Sequence, residues 1–135
     1  MSLFATMDVA GMSLDAQSTR LNTIASNLAN ANVVKSSEAE VYRARYPVFA
    51  AAMSAVRGEG GGVRVERILQ SELPALREFV PGHPLADDEG YIYRPDINQV
   101  DEMANMMAAS RSYQNSIQAM ETTKQLALRT LTLGR

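Results

Sequence analysis

Helix breakers are concentrated in the middle of this chain. All five prolines (Pro47, Pro74, Pro81, Pro84 and Pro95) lie between positions 47 and 95, and six of the eight glycines lie between 58 and 90. Proline removes a backbone donor and clashes with the preceding helical turn, so long helices belong outside that window. Both ends carry the matching periodicity. Across residues 3–31, Leu3, Met7, Ala10, Leu14, Gln17, Leu21, Ile24 and Leu28 follow a 4-3-4-3-4-3-4 spacing. That is a heptad seam with one polar member. A helix of this length extends ~42 Å, well beyond the helices of an ordinary small domain.

The other arm repeats the pattern over residues 99–133. Pro95 ends anything helical before it, Asn98 is a good N-cap, and Asp101 sits where a capping-box partner would. Asp101 and Glu102 also place negative charge at the positive end of the expected helix. The seam reads Met103, Met106, Ser110, Tyr113, Ile117, Met120, Lys124, Ala127 and Leu131, with Ser110 and Lys124 as polar interruptions. Gly134 is a stop signal.

Between the arms, residues 35–97 read as strand and turn. Residues 42–49 and 63–70 are β-prone, and the run Gly58-Glu59-Gly60-Gly61-Gly62 between them marks a turn. Pro81-Gly82-His83-Pro84 is a tight turn, and Tyr91, Ile92 and Tyr93 alternate as a short strand does. The expected fold is therefore mainly α with a small β element. Residues 1–34 form an N-terminal helix, 35–97 a hairpin-rich outer element, and 98–135 a C-terminal helix. The two helices are expected to pair as an antiparallel coiled coil, each seam against the other.

Charge and composition exclude several classes. The chain has 13 basic and 15 acidic residues, a net charge of −2, which gives no footprint for nucleic-acid binding. With no cysteine and one histidine, a disulfide framework, a thiolate or multi-histidine metal site and a cysteine nucleophile are all ruled out. No apolar run reaches the ~20 residues of a membrane-spanning helix. The first eleven residues lack a basic head and a continuous apolar stretch, so no secretory leader is expected there.

The charges are also unevenly placed. Residues 35–97 hold 18 of the 28 charges. The arms instead carry small uncharged polar residues on their outer faces: Asn22, Thr23, Ser26, Asn27, Asn30 and Asn32, then Asn105, Ser112, Asn115, Thr122 and Thr123. A solvent-facing helix is normally laced with Lys and Glu, whereas uncharged polar groups suit burial against other chains. Two helices alone also build little core, so the arms are expected to order fully only with neighbours.

The catalytic candidates are weak. His83 precedes the acidic run Asp87-Asp88-Glu89, which resembles a hard-cation cluster, but the alternating pattern of a calcium loop is absent. The simpler reading is a capped turn in which His83 or Asp87 accepts backbone amides. The glycine run lacks the Lys-Ser/Thr of a phosphate loop and leads into a strand. Arg43, Arg45, Arg57, Arg64, Arg67 and Arg77 alternate with acids, so they read as interface and ion-pair residues. Met103, Met106 and Met107 fit either an adaptable interface or ordinary core packing. No catalytic, metal or cofactor site is expected.

The stretch Leu21-Asn22-Thr23-Ile24-Ala25-Ser26-Asn27-Leu28-Ala29-Asn30-Ala31-Asn32 resembles the N-terminal signature shared by rod and hook proteins of the bacterial flagellum. Residues 103–133 look like the terminal helix of that family. The segments 81–91, 95–98, 100–103 and 110–114 are similar to the proximal rod proteins of the basal body, the FlgC type. The resemblance covers residues 2–34 and 79–135, and residues 35–78 match it loosely, through Tyr42-Arg43 and Val48-Phe49.

This resemblance implies a structural subunit exported by the flagellar type III apparatus. Such subunits polymerise helically into a periplasmic rod around a central channel. The implied partners are other rod proteins, further copies of the chain, the basal-body adaptor, the membrane ring and the export apparatus, with no nucleic acid and no small-molecule substrate. The expected assembly interface comprises Leu3, Met7, Leu14, Leu21, Ile24, Asn27, Leu28, Asn30, Asn32, Met103, Met106, Tyr113, Ile117, Met120 and Leu131. Pro81, His83, Pro84, Asp87 and Gly90 form the expected structural turn. Two alternatives remain at this point: a cytoplasmic coiled-coil adaptor, and a small hydrolase using His83.

Overall fold

The structure, a computed structural model, describes residues 3–53 and 61–133. Two long helices frame it: α1 spans Leu3–Asn30 and α2 spans Gln99–Leu133. Among the described residues between them lie a 3-10 turn at Glu38–Glu40 and four strands, β1 Arg45–Met53, β2 Gly61–Gln70, β3 Leu76–Phe79 and β4 Tyr91–Arg94. Long helices flanking a modest antiparallel β element is the fold class expected from the sequence. Strand β3 was not expected, because Leu76-Arg77-Glu78-Phe79 is too short and too charged to stand out by alternation. The turn expected at 58–62 lies largely outside the described residues, and Gly61 and Gly62 belong to β2.

The strands form two separate antiparallel pairs, β1 with β2 and β3 with β4. In the first, Val48 pairs with Arg67 but Phe49 pairs with Val65, so Glu66 is an extra residue that bends the ribbon. In the second, Arg77 faces Tyr93 and Phe79 faces Tyr91. Lys35 bridges to Tyr93 through reciprocal bonds of 2.8 and 2.9 Å, tying the segment after α1 to β4.

The β1–β2 ribbon lies along α1. Met12 of α1 sits directly over Gly62, where a Cβ would collide with its sulfur. A neighbouring face of α1 meets α2: Ser13 Oγ is 2.9 Å from Ser116 Oγ, and Asn27 reaches Glu102. Gly11 sits near the end of Met120, and a Cβ there would lie 3.9 Å from Met120 Cε. Early residues of α1 thus meet late residues of α2.

The buried apolar set is small and made of small side chains. Ala10, Ala16, Ile24, Ala31, Val41, Ala44, Ile92 and Ala109 are buried, with Thr23, Asn27, Glu102 and Thr123 beside them. The buried hydroxyls are satisfied by their own helices. Thr23 donates to the Arg20 carbonyl at 2.8 Å and Thr123 to the Ala119 carbonyl at 2.8 Å. Small side chains with internally satisfied hydroxyls let two helices approach closely without stranding a polar group.

The α2 seam therefore differs from the sequence expectation. Met106, Tyr113, Met120 and Ala127 are half-buried as expected, but Met103, Ile117 and Leu131 are 56%, 43% and 71% exposed. The inward face instead carries Glu102, Ala109, Ser116 and Thr123, each one residue before the seam positions Met103, Ser110, Ile117 and Lys124. The substitution is a shift of one residue at alternate positions, equivalent to rotating that half of the seam by ~100°. Close approach of the two backbones admits the smaller set and turns the larger side chains outward. Likewise Thr23, Asn27 and Thr123, expected on outer faces, are consumed inside the chain.

Candidate assembly surface

Two constructed features position the surfaces that face outward. The first is a junction centred on Asn27, which is 1% exposed. Its Nδ2 donates to the Arg45 carbonyl at 2.9 Å and to Glu102 Oε2 at 3.4 Å. Its Oδ1 accepts from the Arg45 amide at 2.8 Å and the Tyr42 hydroxyl at 2.9 Å. One amide thus joins the end of α1, the start of β1 and the first turn of α2. The Tyr42 hydroxyl also contacts Ser26 Oγ at 3.0 Å, and the Arg45 guanidinium lies 5.7 Å from the Tyr42 ring centre. Asn30 bonds its own helix, donating to the Ser26 carbonyl at 2.8 Å, while Asn32 is exposed. The three asparagines of the expected cluster therefore have three different environments.

The second feature is the turn leading into α2. Asp87 Oδ1 accepts the amides of Glu89 at 3.0 Å and Tyr91 at 2.8 Å, and Oδ2 accepts the Tyr93 hydroxyl at 3.0 Å. The Tyr91 amide bond, above all, holds the Asp87 carboxyl below its ordinary pKa, with the Tyr93 hydroxyl adding to the effect. The same contact raises the Tyr93 hydroxyl above its usual value. His83 Nδ1 accepts the Leu85 amide at 3.0 Å. Gly90 has φ +85°, and a Cβ there would lie 2.9 Å from Phe79 Cε2 and 3.1 Å from Pro81 Cβ. Pro84 is exposed at the outside of this turn. His83, the residue of the hydrolase alternative, and Asp87 of the acidic run both accept backbone amides, as a capped turn requires. Beyond the turn, Asn98 caps α2 by accepting the Val100 amide at 3.0 Å.

With these joints in place, α2 presents a second apolar stripe to the outside. Val100, Met103, Met107, Ile117, Leu128 and Leu131 are 73%, 56%, 58%, 43%, 54% and 71% exposed. They share one side of the helix, displaced from the face that α1 covers, with Ser110, Gln114, Glu121 and Lys124 interrupting the row on either side of Ile117. On α1, Leu3, Met7, Leu14, Leu21 and Leu28 are half-buried, and Ile24 is buried. Exposed large apolar residues in register along a helix mark an interaction surface. The sequence reading placed Met103, Ile117 and Leu131 in an interface but assigned them to the partner helix of the same chain. It named Met107 with Met103 and Met106 as an interface alternative, and it missed the inward roles of Glu102, Ala109, Ser116, Thr123 and Tyr42. Nothing local distinguishes Ser116 from Ile117 as an inward residue.

Both ends of the chain match known families. Residues 7–35 match the family described as flagella basal body rod protein, and residues 88–133 match the C-terminal family of flagellar basal body rod FlgEFG proteins. The flagellar basal-body rod protein FlgC of Yersinia enterocolitica is 47% identical over 135 residues, covering all of both chains. The chain belongs to the FlgC family of basal-body rod proteins. The Salmonella typhimurium member is 46% identical, again over the whole of both chains, and the Agrobacterium fabrum member 33% over 97% of this chain and 94% of its own. These FlgC relatives align through residues 35–78, so the similarity is wider than the two ends and the turn on which the resemblance rested. The family is structural and not enzymatic.

Proposed function

We propose that this chain is a structural subunit of the flagellar basal-body rod, and that α2's outer stripe is a surface through which it assembles. The observation that carries the reading is the stripe itself, uncovered in a single chain that matches FlgC proteins from end to end. An apolar row along a helix with few charges gains ~25 cal/mol per Å2 when neighbouring subunits cover it. In this reading α1 and α2 act together as an antiparallel coiled coil forming the inner part of the rod wall, and the β ribbon faces outward. The place in the assembly is the proximal rod, in the periplasm, with helical stacking around a channel. Neighbours are copies of the chain, other rod proteins, and the adaptor and membrane-ring proteins. Delivery is through the flagellar type III export apparatus, for which a cysteine-free chain with a small core is well suited.

The expected interface residues divide by role in this reading. Met103, Ile117 and Leu131 face neighbouring subunits. Ile24, Asn27, Met106, Tyr113 and Met120 hold α1 and α2 in the orientation that presents them. Leu3, Met7, Leu14, Leu21, Leu28, Asn30 and Asn32 contribute at the margins of α1. The turn of Pro81, His83, Pro84, Asp87 and Gly90 sets where α2 begins. The FlgC relatives give no support to a cytoplasmic adaptor or a hydrolase.

The test is complementation of a strain lacking this chain with Leu21→Asp or Ile117→Asp. Both should abolish swimming, with basal bodies in electron micrographs ending at the membrane ring. The Ile117→Asp chain should remain as helical as the parent by circular dichroism, since that side chain is exposed. Normal swimming in the Ile117→Asp strain would remove the stripe from the interface.

A further inference from the structure

The outer stripe of α2 is arranged symmetrically about Ile117. Val100, Met103 and Met107 lie 17, 14 and 10 residues before it, and Leu128 and Leu131 lie 11 and 14 after it. The polar interruptions mirror one another too: Ser110 and Gln114 stand 7 and 3 before, Glu121 and Lys124 stand 4 and 7 after. The five apolar residues of the two end blocks are each more than half exposed. At the first block, Leu28, Met103, Met106, Met107, Ser110 and Arg111 line an open groove of about 430 Å3.

We propose that the free chain pairs with a second copy of itself, stripe against stripe and antiparallel, about a two-fold axis at Ile117. This pairing covers the surface that the subunit uses in the rod. The contact stands on the stripe alone, and its masking role rests on the rod reading.

A row symmetric about its centre keeps its order when reversed, so an antiparallel copy sets apolar positions on apolar and polar on polar. Leu128 and Leu131 of each copy then reach the groove of the other, where flexible methionine side chains fit around them. Charge decides against the parallel arrangement. Asp101 and Arg129 are exposed, and among the described residues neither forms an ion pair. A parallel pair in register would stack Asp101 on Asp101 and Arg129 on Arg129, with the helix dipoles aligned. The antiparallel pair brings Asp101 within about one turn of the other copy's Arg129, at both ends, and opposes the dipoles. Two such faces, ~46 Å long and ~10 Å wide, bury on the order of 900 Å2 together, the size of a weak and reversible contact. An isologous contact closes at two copies, whereas a helical rod requires heterologous contacts. The same stripe therefore serves the dimer or the rod, one at a time.

Distances in solution test the pairing. The chain has no cysteine, so Gln118→Cys, Gln125→Cys and Thr132→Cys each carry one spin label on the purified full chain. An antiparallel pair separates equivalent residues by about 3 Å along the axis for each residue from the centre, so the axial components should be about 3, 24 and 45 Å. Ile117→Asp sets two carboxylates on the two-fold axis and should weaken dimerisation at least about tenfold in sedimentation. Arg129→Asp should weaken it about fivefold, and Asp101→Arg in the same chain should restore it. A monomer at every concentration up to about 200 µM, one distance common to all three sites, or a dimer indifferent to Ile117→Asp would overturn the proposal. For masking, basal bodies from motile cells carrying Gln118→Cys are treated with a short bismaleimide. Dimers in solution should link 118 to 118, and subunits within rods should not. That adduct in intact rods would overturn the masking role. Absence of the chain from basal bodies would defeat the rod reading instead, and the solution distances would still decide the dimer.

Discussion

Replacing Asn27 gives the sharpest measurement of what holds the two arms together. Its side chain is 1% exposed and makes four hydrogen bonds, two of them to the backbone of Arg45. Asn27→Ala removes all four and takes the side-chain partners from the Arg45 amide and carbonyl in a part-buried region. Each such bond contributes about 1 kcal/mol net, and each stranded polar group costs ~1–3 kcal/mol. The 3.4 Å contact with Glu102 adds least. A loss of ~2–4 kcal/mol follows, a large share of the ~5–15 kcal/mol that stabilises a domain. Asn27→Asp is nearly the same shape, and it keeps the bonds from the Arg45 amide and Tyr42. It places an oxygen where Nδ2 donated, facing the Arg45 carbonyl and the Glu102 carboxylate. A buried, unpaired charge costs ~3–5 kcal/mol, so this variant should be the less stable of the two. Urea unfolding followed by circular dichroism reads the difference. With a slope of ~1–3 kcal/mol per molar, the Asn27→Ala midpoint should fall by roughly 1–2 M. Asn30→Ala, which loses one bond to its own helix, should shift it by a few tenths of that. Equal midpoints for the Asn27 and Asn30 variants would refute the junction as a structural centre.

Other expectations follow from the turn before α2. Gly90→Ala must accept a left-handed backbone and press on Phe79 and Pro81. It should cost ~1–3 kcal/mol and lower the melting temperature by several degrees in a thermal scan. Asp87 has a depressed carboxyl pKa, so its stabilisation is fully present above the ordinary carboxylate value near 3.8 and is lost as pH falls through the lower folded value. Asp87→Ala should flatten the pH dependence of the unfolding midpoint in that acidic window, and an unchanged profile would contradict the assignment. His83→Ala removes one acceptor for the Leu85 amide and should cost ~1 kcal/mol or less. Swimming should persist in soft agar, and a complete loss of motility with intact rods would revive a chemical role for this residue.

The sequence by itself determined that two long helices exist and where α2 begins; the stop expected at Gly134 lies outside the described residues. Proline confined to the middle leaves the arms free to be helical, and Asn98, Pro95 and the acidic first turn mark the start of α2. It also determined the strands β1, β2 and β4 to within a few residues, and the capped character of the turn at 81–91. These are local matters of backbone preference and short-range hydrogen bonding. The family, too, was legible in short stretches such as 21–32 and 81–91.

Only the tertiary structure decided which side of each helix faces inward. A heptad reading of α2 accepts either Ile117 or its neighbour Ser116, because adjacent residues differ by ~100° around the axis and the apolar positions are too dispersed to choose. Close approach of the helix backbones favours Ala109, Ser116 and Thr123 inside, and that choice moves Met103, Ile117 and Leu131 to the exterior. The same is true of Asn27. Its position in a signature was visible, but its partner at Arg45 is 18 residues away and depends on how the ribbon folds back onto α1. Helix existence is settled within a few turns of chain. The surface offered to other subunits depends on packing between segments about a hundred residues apart, such as Ser13 and Ser116.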